Sequence, residues 1–127
     1  MVVLDASALL ALLLAEAGAE KVRAVLTEAV MSAVNFSEVV AHYARNGAGE
    51  AQVRQVLDPL PLEKVAFDDD LAYAAGLLWV PTRRAGLSFG DRACLALARR
   101  LGSRALTADR AWPAVATATK VEIELIR

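Results

Sequence analysis

A chain of 127 residues with hydrophobic residues making up 57% is long enough for one domain with a real core. Its formal net charge of −1 gives no global attraction to nucleic acid or membrane, and its single cysteine, Cys94, excludes an intrachain disulfide and a cysteine-based zinc site. The apolar run at residues 8–15 is too short to span a bilayer, and Asp5 stands where a signal peptide would carry basic residues, so a soluble, cytoplasmic protein is expected.

The first element is a short apolar strand that ends at Asp5. Residues 7–15 read as a helix broken by Gly18, and residues 19–29 as a second helix, with Val22, Val25 and Leu26 at helical spacing. A buried strand is predicted at 30–34. From Asn35 the pattern turns helical through Val39, Val40 and Tyr43, and Asn46-Gly47 supplies a stop. Residues 50–57 form an amphipathic helix closed by Asp58-Pro59-Leu60-Pro61, and residues 62–67 a third strand. Asp68-Asp69-Asp70 opens a helix to about Trp79, residues 80–88 read as a loop or frayed helix end, and residues 90–101 as a helix. A fourth strand at 104–107 and a fifth at 121–126, an exposed edge, complete the chain. Strands alternating with helices imply a three-layer α/β/α domain around a central, mostly parallel five-stranded sheet with right-handed crossovers.

Four acids, Asp5, Glu38, Asp91 and Asp109, each stand where an apolar run gives way to a helix-like segment. Ligands of an open parallel sheet bind beyond the carboxyl ends of its strands, so these carboxylates can meet there. Each has a plain structural reading. Asn35-Phe36-Ser37-Glu38 and Ser88-Phe89-Gly90-Asp91 have the form of capping boxes, Asp5 can cap the helix after the first strand, and Asp109 suits a turn at 110–112. Capping explains acids at helix starts, but not their recurrence after nearly every strand. Asp68-Asp69-Asp70 is the control: three consecutive acids cannot all point into one crevice, and capping with solvation suffices there. Four carboxylates without a Cys or His ligand set indicate a hard cation, Mg2+ or Mn2+. Ser7, Asn35 and Thr107 are small polar neighbours suited to orienting those carboxylates or holding water.

Val3-Leu4-Asp5-Ala6-Ser7-Ala8, Asn35-Phe36-Ser37-Glu38-Val39, the run Leu87-Ser88-Phe89-Gly90-Asp91-Arg92-Ala93-Cys94-Leu95-Ala96-Leu97-Ala98, and Leu106-Thr107-Ala108-Asp109-Arg110-Ala111-Trp112 together resemble a PIN domain. More narrowly, the chain is similar to VapC-type toxins of toxin–antitoxin pairs. The resemblance covers essentially the whole chain, and Asp109 is its softest position. It implies a metal-dependent endoribonuclease whose acidic quartet is Asp5, Glu38, Asp91 and Asp109. It also implies a homodimer and a cognate antitoxin whose C-terminal segment blocks the pocket.

Hydrolysis of RNA by metal-activated water would leave 5′-phosphate and 3′-hydroxyl ends. An acidic pocket repels RNA, so Arg83, Arg84 and Arg92 are the expected phosphate contacts, with solvated surface arginines as the plain alternative. His42 is expected at the surface or at a dimer contact, Cys94 in the core, and Trp79 and Trp112 as packing residues. Apolar stretches at 9–14 and 22–26 exceed what a small monomer needs and suggest an interface. A receiver or an aspartyl-phosphate phosphatase fits poorly: Asp5 stands alone, Ser7 occupies the second-acid position, and the only late lysine, Lys120, precedes its strand. The remaining rival is a non-catalytic PIN-like RNA- or protein-interaction module with vestigial acids.

Overall fold

The computed structural model describes residues 1–127. In chain order the elements are β1 (Val2–Leu4), α1 (Ala6–Leu13), α2 (Ala19–Val25) with a 3₁₀ turn (Leu26–Glu28), β2 (Ala29–Ser32), α3 (Ala33–Arg45) and α4 (Glu50–Leu57). There follow β3 (Glu63–Val65), α5 (Asp69–Leu77), α6 (Trp79–Thr82), α7 (Phe89–Leu101), β4 (Arg104–Thr107), a 3₁₀ turn (Trp112–Val115), α8 (Ala116–Thr119) and β5 (Ile123–Leu125).

The sheet runs β3-β2-β1-β4-β5, and every pairing is parallel. The chain builds outward from β1 to β2 and β3, then returns to lay β4 on the other side of β1. That reversal makes the carboxyl ends of β1 and β4 a topological switch point, the place where open parallel sheets bind ligands, and Asp5 and Asp109 follow those two strands.

Strand periodicity divides the core. Val2 and Leu4 of β1, Met31 of β2 and Leu106 of β4 pack with Leu9, Val22, Val39, Val53 and Leu57 under α1–α4. Val3, Val30 and Ala105 face the other way, onto Leu71, Ala75, Leu95, Leu97 and Trp112 under α5, α7 and the turn after β4. Fully burying one such Leu or Val contributes roughly 1.5–3 kcal/mol, so this two-sided packing gives the acid-bearing strand ends a rigid base. Gly18 closes the α1–α2 turn at φ +95°; a Cβ there would lie 2.5 Å from the Ile126 carbonyl oxygen, so only glycine lets this turn approach the chain after β5.

Several expectations need correction. The helix predicted from Asn35 begins at Ala33, because the Ser32 hydroxyl at the end of β2 accepts the Val34 N–H at 3.2 Å. Ser32, not Asn35, is the cap, and Asn35 becomes a buried first-turn residue. Part of the 80–88 segment is helical: α6 forms around Pro81, and Thr82 closes it through its hydroxyl onto the Leu78 carbonyl at 2.6 Å. Trp112 is buried as a packing residue, whereas Trp79 is exposed. The apolar surplus is divided between two places. In the expected stretches Leu9 and Val22 are fully buried, Leu10, Leu12, Leu13, Val25 and Leu26 are partly buried and Leu14 is exposed; a further set of exposed large apolar residues, Tyr73, Leu77, Trp79, Val80 and Phe89, lies on α5, α6 and the start of α7.

Candidate functional site

Asp5 is the fixed point of the site. It leaves β1 with its N–H donating to the Leu106 carbonyl at 3.2 Å, and it caps α1 by accepting the Ala8 N–H on Oδ1 at 2.9 Å. Oδ1 also accepts the Ser7 hydroxyl at 2.7 Å, and Oδ2 accepts the Thr107 hydroxyl at 2.6 Å. Ser7 in turn accepts the Ala108 N–H at 2.9 Å, and Thr107 accepts the Asp109 N–H at 3.0 Å. The β1 and β4 ends are thus cross-tied through one carboxylate, and the same hydroxyls that orient Asp5 aim the loop carrying Asp109.

This carboxylate is only 6% exposed and has no cationic partner. Burial pushes its pKa up to about 6; the bonds from Thr107, Ser7 and Ala8 oppose that rise, and the nearby negative charge of Asp91 adds to it.

Glu38 and Asp91 arrive on two helices that meet at the crevice. Glu38 Oε1 accepts Asn35 Nδ2 at 2.8 Å, and that amide also donates to the Gly90 carbonyl at 2.9 Å, so one buried side chain couples the first turns of α3 and α7. Asn35 Oδ1 is buried without a partner. Gly90 makes the approach possible: a Cβ there would stand 2.5 Å from Glu38 Oε2. Asp91 closes the capping box expected of it, Oδ2 accepting the Ser88 N–H at 2.9 Å while the Ser88 hydroxyl accepts the Asp91 N–H at 3.1 Å. Its pKa is raised by burial and by Asp109, against the opposing bonds to Ser88. Asp109 Oδ1 accepts the Ala111 N–H at 2.9 Å in the expected turn. Beneath the cluster the buried Cys94 thiol is pushed well up in pKa by burial and by the charges of Asp5, Asp91 and Glu38, which leaves it an inert core residue.

Asp91 adds its charge to the burial of Asp5 and Asp109 adds its own to Asp91, while Glu38 reaches the same region by lying against Gly90, beside Asp91. As arranged, no three of them stand close enough to hold a single ion between them, because Asp91 and Asp109 are each drawn back onto a local N–H. The donor set still fits a hard divalent cation in kind. It is all carboxylate oxygen, and its deepest member is a buried acid whose charged form lacks compensation.

The arginines are distributed differently. Arg83 and Arg84 are exposed in the loop before α7. Arg92 turns onto α5, donating from Nη1 to the Ala75 carbonyl at 3.3 Å, with Nε buried and unpartnered. His42 is half-buried on α3 and packs edge-on to Tyr43. Gly90 was not among the residues marked by the sequence; its only signal there is a glycine in the first turn of a strong helix, where it costs propensity without a turn to justify it.

Residues 2–118 match the PIN domain family in sequence. The chain belongs to the PIN domain family. Its fold is shared with a toxin–antitoxin complex from Klebsiella pneumoniae at TM-score 0.76 and 16% identity, covering 100% of this chain and 98% of that one. It is equally shared with DNA-bound VapBC from Salmonella typhimurium (TM-score 0.77, 17% identity, 99% and 98% covered). FitAcB from Neisseria gonorrhoeae follows at TM-score 0.74 and 16% identity, with 97% and 96% covered. No curated relative matches the chain in sequence. The three-layer α/β PIN architecture expected from the sequence is the observed one, with a sheet that is parallel throughout. No helix is long and apolar enough to cross a membrane.

Proposed function

We propose that this PIN domain is a metal-dependent endoribonuclease and the toxin of a toxin–antitoxin pair, hydrolysing RNA phosphodiester bonds with Mg2+ or Mn2+. The observation that carries the reading is the Asp5 carboxylate, buried without a cation at the topological switch of the sheet and within reach of the charge of Asp91. When bound, a divalent ion supplies Lewis acidity, lowering the pKa of water and offsetting charge on phosphate oxygens. Asp5 and Asp91 would be its principal ligands, with Asp109 contributing directly or through a water. Thr107 and Ser7 hold Asp5 in one orientation, and Asn35 holds Glu38, which would complete the ligand set or orient the attacking water. A cognate antitoxin is proposed from the likeness to toxin–antitoxin complexes.

The rival reading, an interaction module with vestigial acids, has one observation in its favour: Asp91 and Asp109 sit in ordinary caps and no three carboxylates close on a point. Incubating the antitoxin-free protein with structured RNA separates the two. The nuclease reading expects discrete cleavage that needs Mg2+ or Mn2+, leaves 5′-phosphate ends, and is lost in Asp5→Asn and with EDTA. Cyclic 2′,3′-phosphate ends would sink the hydrolytic mechanism, and absence of both cleavage and Mn2+ binding would favour the module.

We also propose that a second copy of the chain covers the outer face of α5 and α6. Tyr73, Leu77 and Val80 follow one another at helical spacing and are exposed, and Leu78 keeps the backbone helical between the two helices. Asp69 and Asp70 precede this stripe, and Arg83 and Arg84 follow it. Antiparallel pairing about a two-fold axis would bring the acids of each copy against the arginines of the other. Sedimentation should show a dimer that Arg83→Asp with Arg84→Asp disrupts, and that adding Asp69→Arg and Asp70→Arg restores. A monomeric wild type would end this proposal.

A further inference from the structure

Phe89 is an anomaly of α7. It occupies the first helical position, between the cap Ser88 and the Gly90–Asp91 pair, and it is 52% exposed. An aromatic ring has no capping role there. Nor does Phe89 belong to the hydrophobic core: Phe67 packs against the cluster under α5 and α7, but Phe89 does not join it. Its one aromatic partner is Phe67, edge-on at 5.5 Å between centroids and 84° between planes. The ring is thus braced from within while half of its surface faces water.

Its neighbours give that exposure a use. The next residue, Gly90, lies against the Glu38 carboxylate, and the one after is Asp91, so the ring stands on the same first turn of α7 as the acid cluster but on another face of it, the one turned to Phe67 after β3. A strand of RNA crossing that cluster meets four carboxylates that repel its phosphates. Arg92, the cation nearest in sequence to Asp91, is turned onto the Ala75 carbonyl of α5. A grip on this turn is therefore best made without charge, and base–aromatic stacking is such a grip.

Resting on the ribonuclease reading, we infer that Phe89 is a stacking platform for an unpaired base of the RNA, beside the phosphate held at the acids. Phe67 is the brace that keeps the platform from folding back. Such a platform needs an unpaired base, because a base paired within a helix cannot offer its face to the ring.

The test uses the full chain carrying Asp5→Asn, so that RNA binds without being cut, and a short single-stranded RNA labelled with 2-aminopurine. Binding should quench the fluorescent base. Adding Phe89→Ala should remove the quench and weaken binding by about 5- to 150-fold, the range set by loss of one base–aromatic stack. Phe89→Trp should keep both quench and affinity, and its thermal melt, with that of Phe89→Ala, checks that neither variant has simply unfolded. The salt dependence should be the same in all variants, since no charge is changed. A fully paired duplex of the same sequence should be indifferent to position 89. Unchanged affinity and quench in Phe89→Ala would overturn the platform while leaving the ribonuclease standing. The same result with a loss of self-association would assign Phe89 to a protein contact instead. If Asp5→Asn binds no RNA at all, the ribonuclease reading fails and the platform falls with it.

Discussion

Two acidic clusters in this protein follow strands and open helices, and they behave in opposite ways. Asp68, which caps α5, accepts the Leu71 N–H at 2.9 Å and pairs with Arg100 at 3.0 Å, and these contacts hold its carboxyl below the usual range. Asp5, which caps α1 with the same kind of backbone bond, is held above that range because burial outweighs its three donors. Local helix chemistry is therefore not what separates them. Compensation is: Asp68 has a cation and solvent, whereas Asp5 has hydroxyls, an amide and other carboxylates. A protein retains an uncompensated buried charge where something outside the chain completes it, and a perturbed acid in a crevice is a pointer to function on that ground.

A pH titration separates the two acids most directly. Asp5 stands at about 6 folded against an ordinary 3.8, so the folded state holds the extra proton between those values and stability falls as pH rises through that window. The displacement corresponds to about 3 kcal/mol lost by pH 7. Asp68 has the reverse sign: its contribution is present above the ordinary value and disappears as pH falls through its lowered folded value. Urea denaturation of the metal-free protein from pH 4 to pH 7 should show the loss, and Asp5→Asn should flatten the profile and raise the midpoint at pH 7. A wild-type profile that already rises from pH 4 to pH 6 would mean that Asp5 is compensated after all.

A divalent cation sharpens the same contrast. At a concentration near one hundred times its dissociation constant, Mn2+ should stabilise the folded protein by about 2.7 kcal/mol at pH 7. The thermal shift should shrink in Asp5→Asn and Asp91→Asn and persist in Asp68→Asn, whose acid is already paired. An equal shift in all three variants would mean that the ion binds elsewhere.

How much of this was legible in the sequence depends on the range of the interaction concerned. The capping roles of Asp5 and Asp91 are local, set within three residues, and the sequence placed both. The start of α3 was misplaced because Val30-Met31-Ser32-Ala33-Val34 reads as one β-prone run, which conceals that Ser32 ends the strand with its own hydroxyl. Asn35 was marked as a cap and as a polar neighbour of the acids; only the second role survives, since its partner Gly90 lies 55 residues away. The apolar surplus was assigned to residues 9–14 and 22–26 because composition cannot show which leucines another helix covers. In the fold α1 and α2 cover one another and the sheet in part, leaving Leu14 exposed and Leu10, Leu12 and Leu13 half-covered, and the outer faces of α5 and α6 are bare as well.

Gly90 gives the smallest effect on stability and the cleanest separation of fold from site. Alanine is favoured over glycine within a helix by up to about 1 kcal/mol, and nothing in the backbone of α7 requires glycine at this position. The obstacle is Glu38, whose carboxylate oxygens would lie 2.5 and 2.6 Å from the new methyl group and must move. Glu38 is the mobile partner, since it is tethered by Asn35 alone, so the side chain swings out and the helix keeps its gain. Gly90→Ala should therefore melt within about 1 kcal/mol of the wild type, on either side, while RNA cleavage falls by roughly tenfold or more, the scale of one misplaced catalytic group. Full activity would show that Glu38 can leave its place without consequence, and would reduce the functional set to Asp5, Asp91 and Asp109. A collapse in stability would show instead that the contact between α3 and α7 is a packing joint, and that the glycine serves the fold rather than the acids.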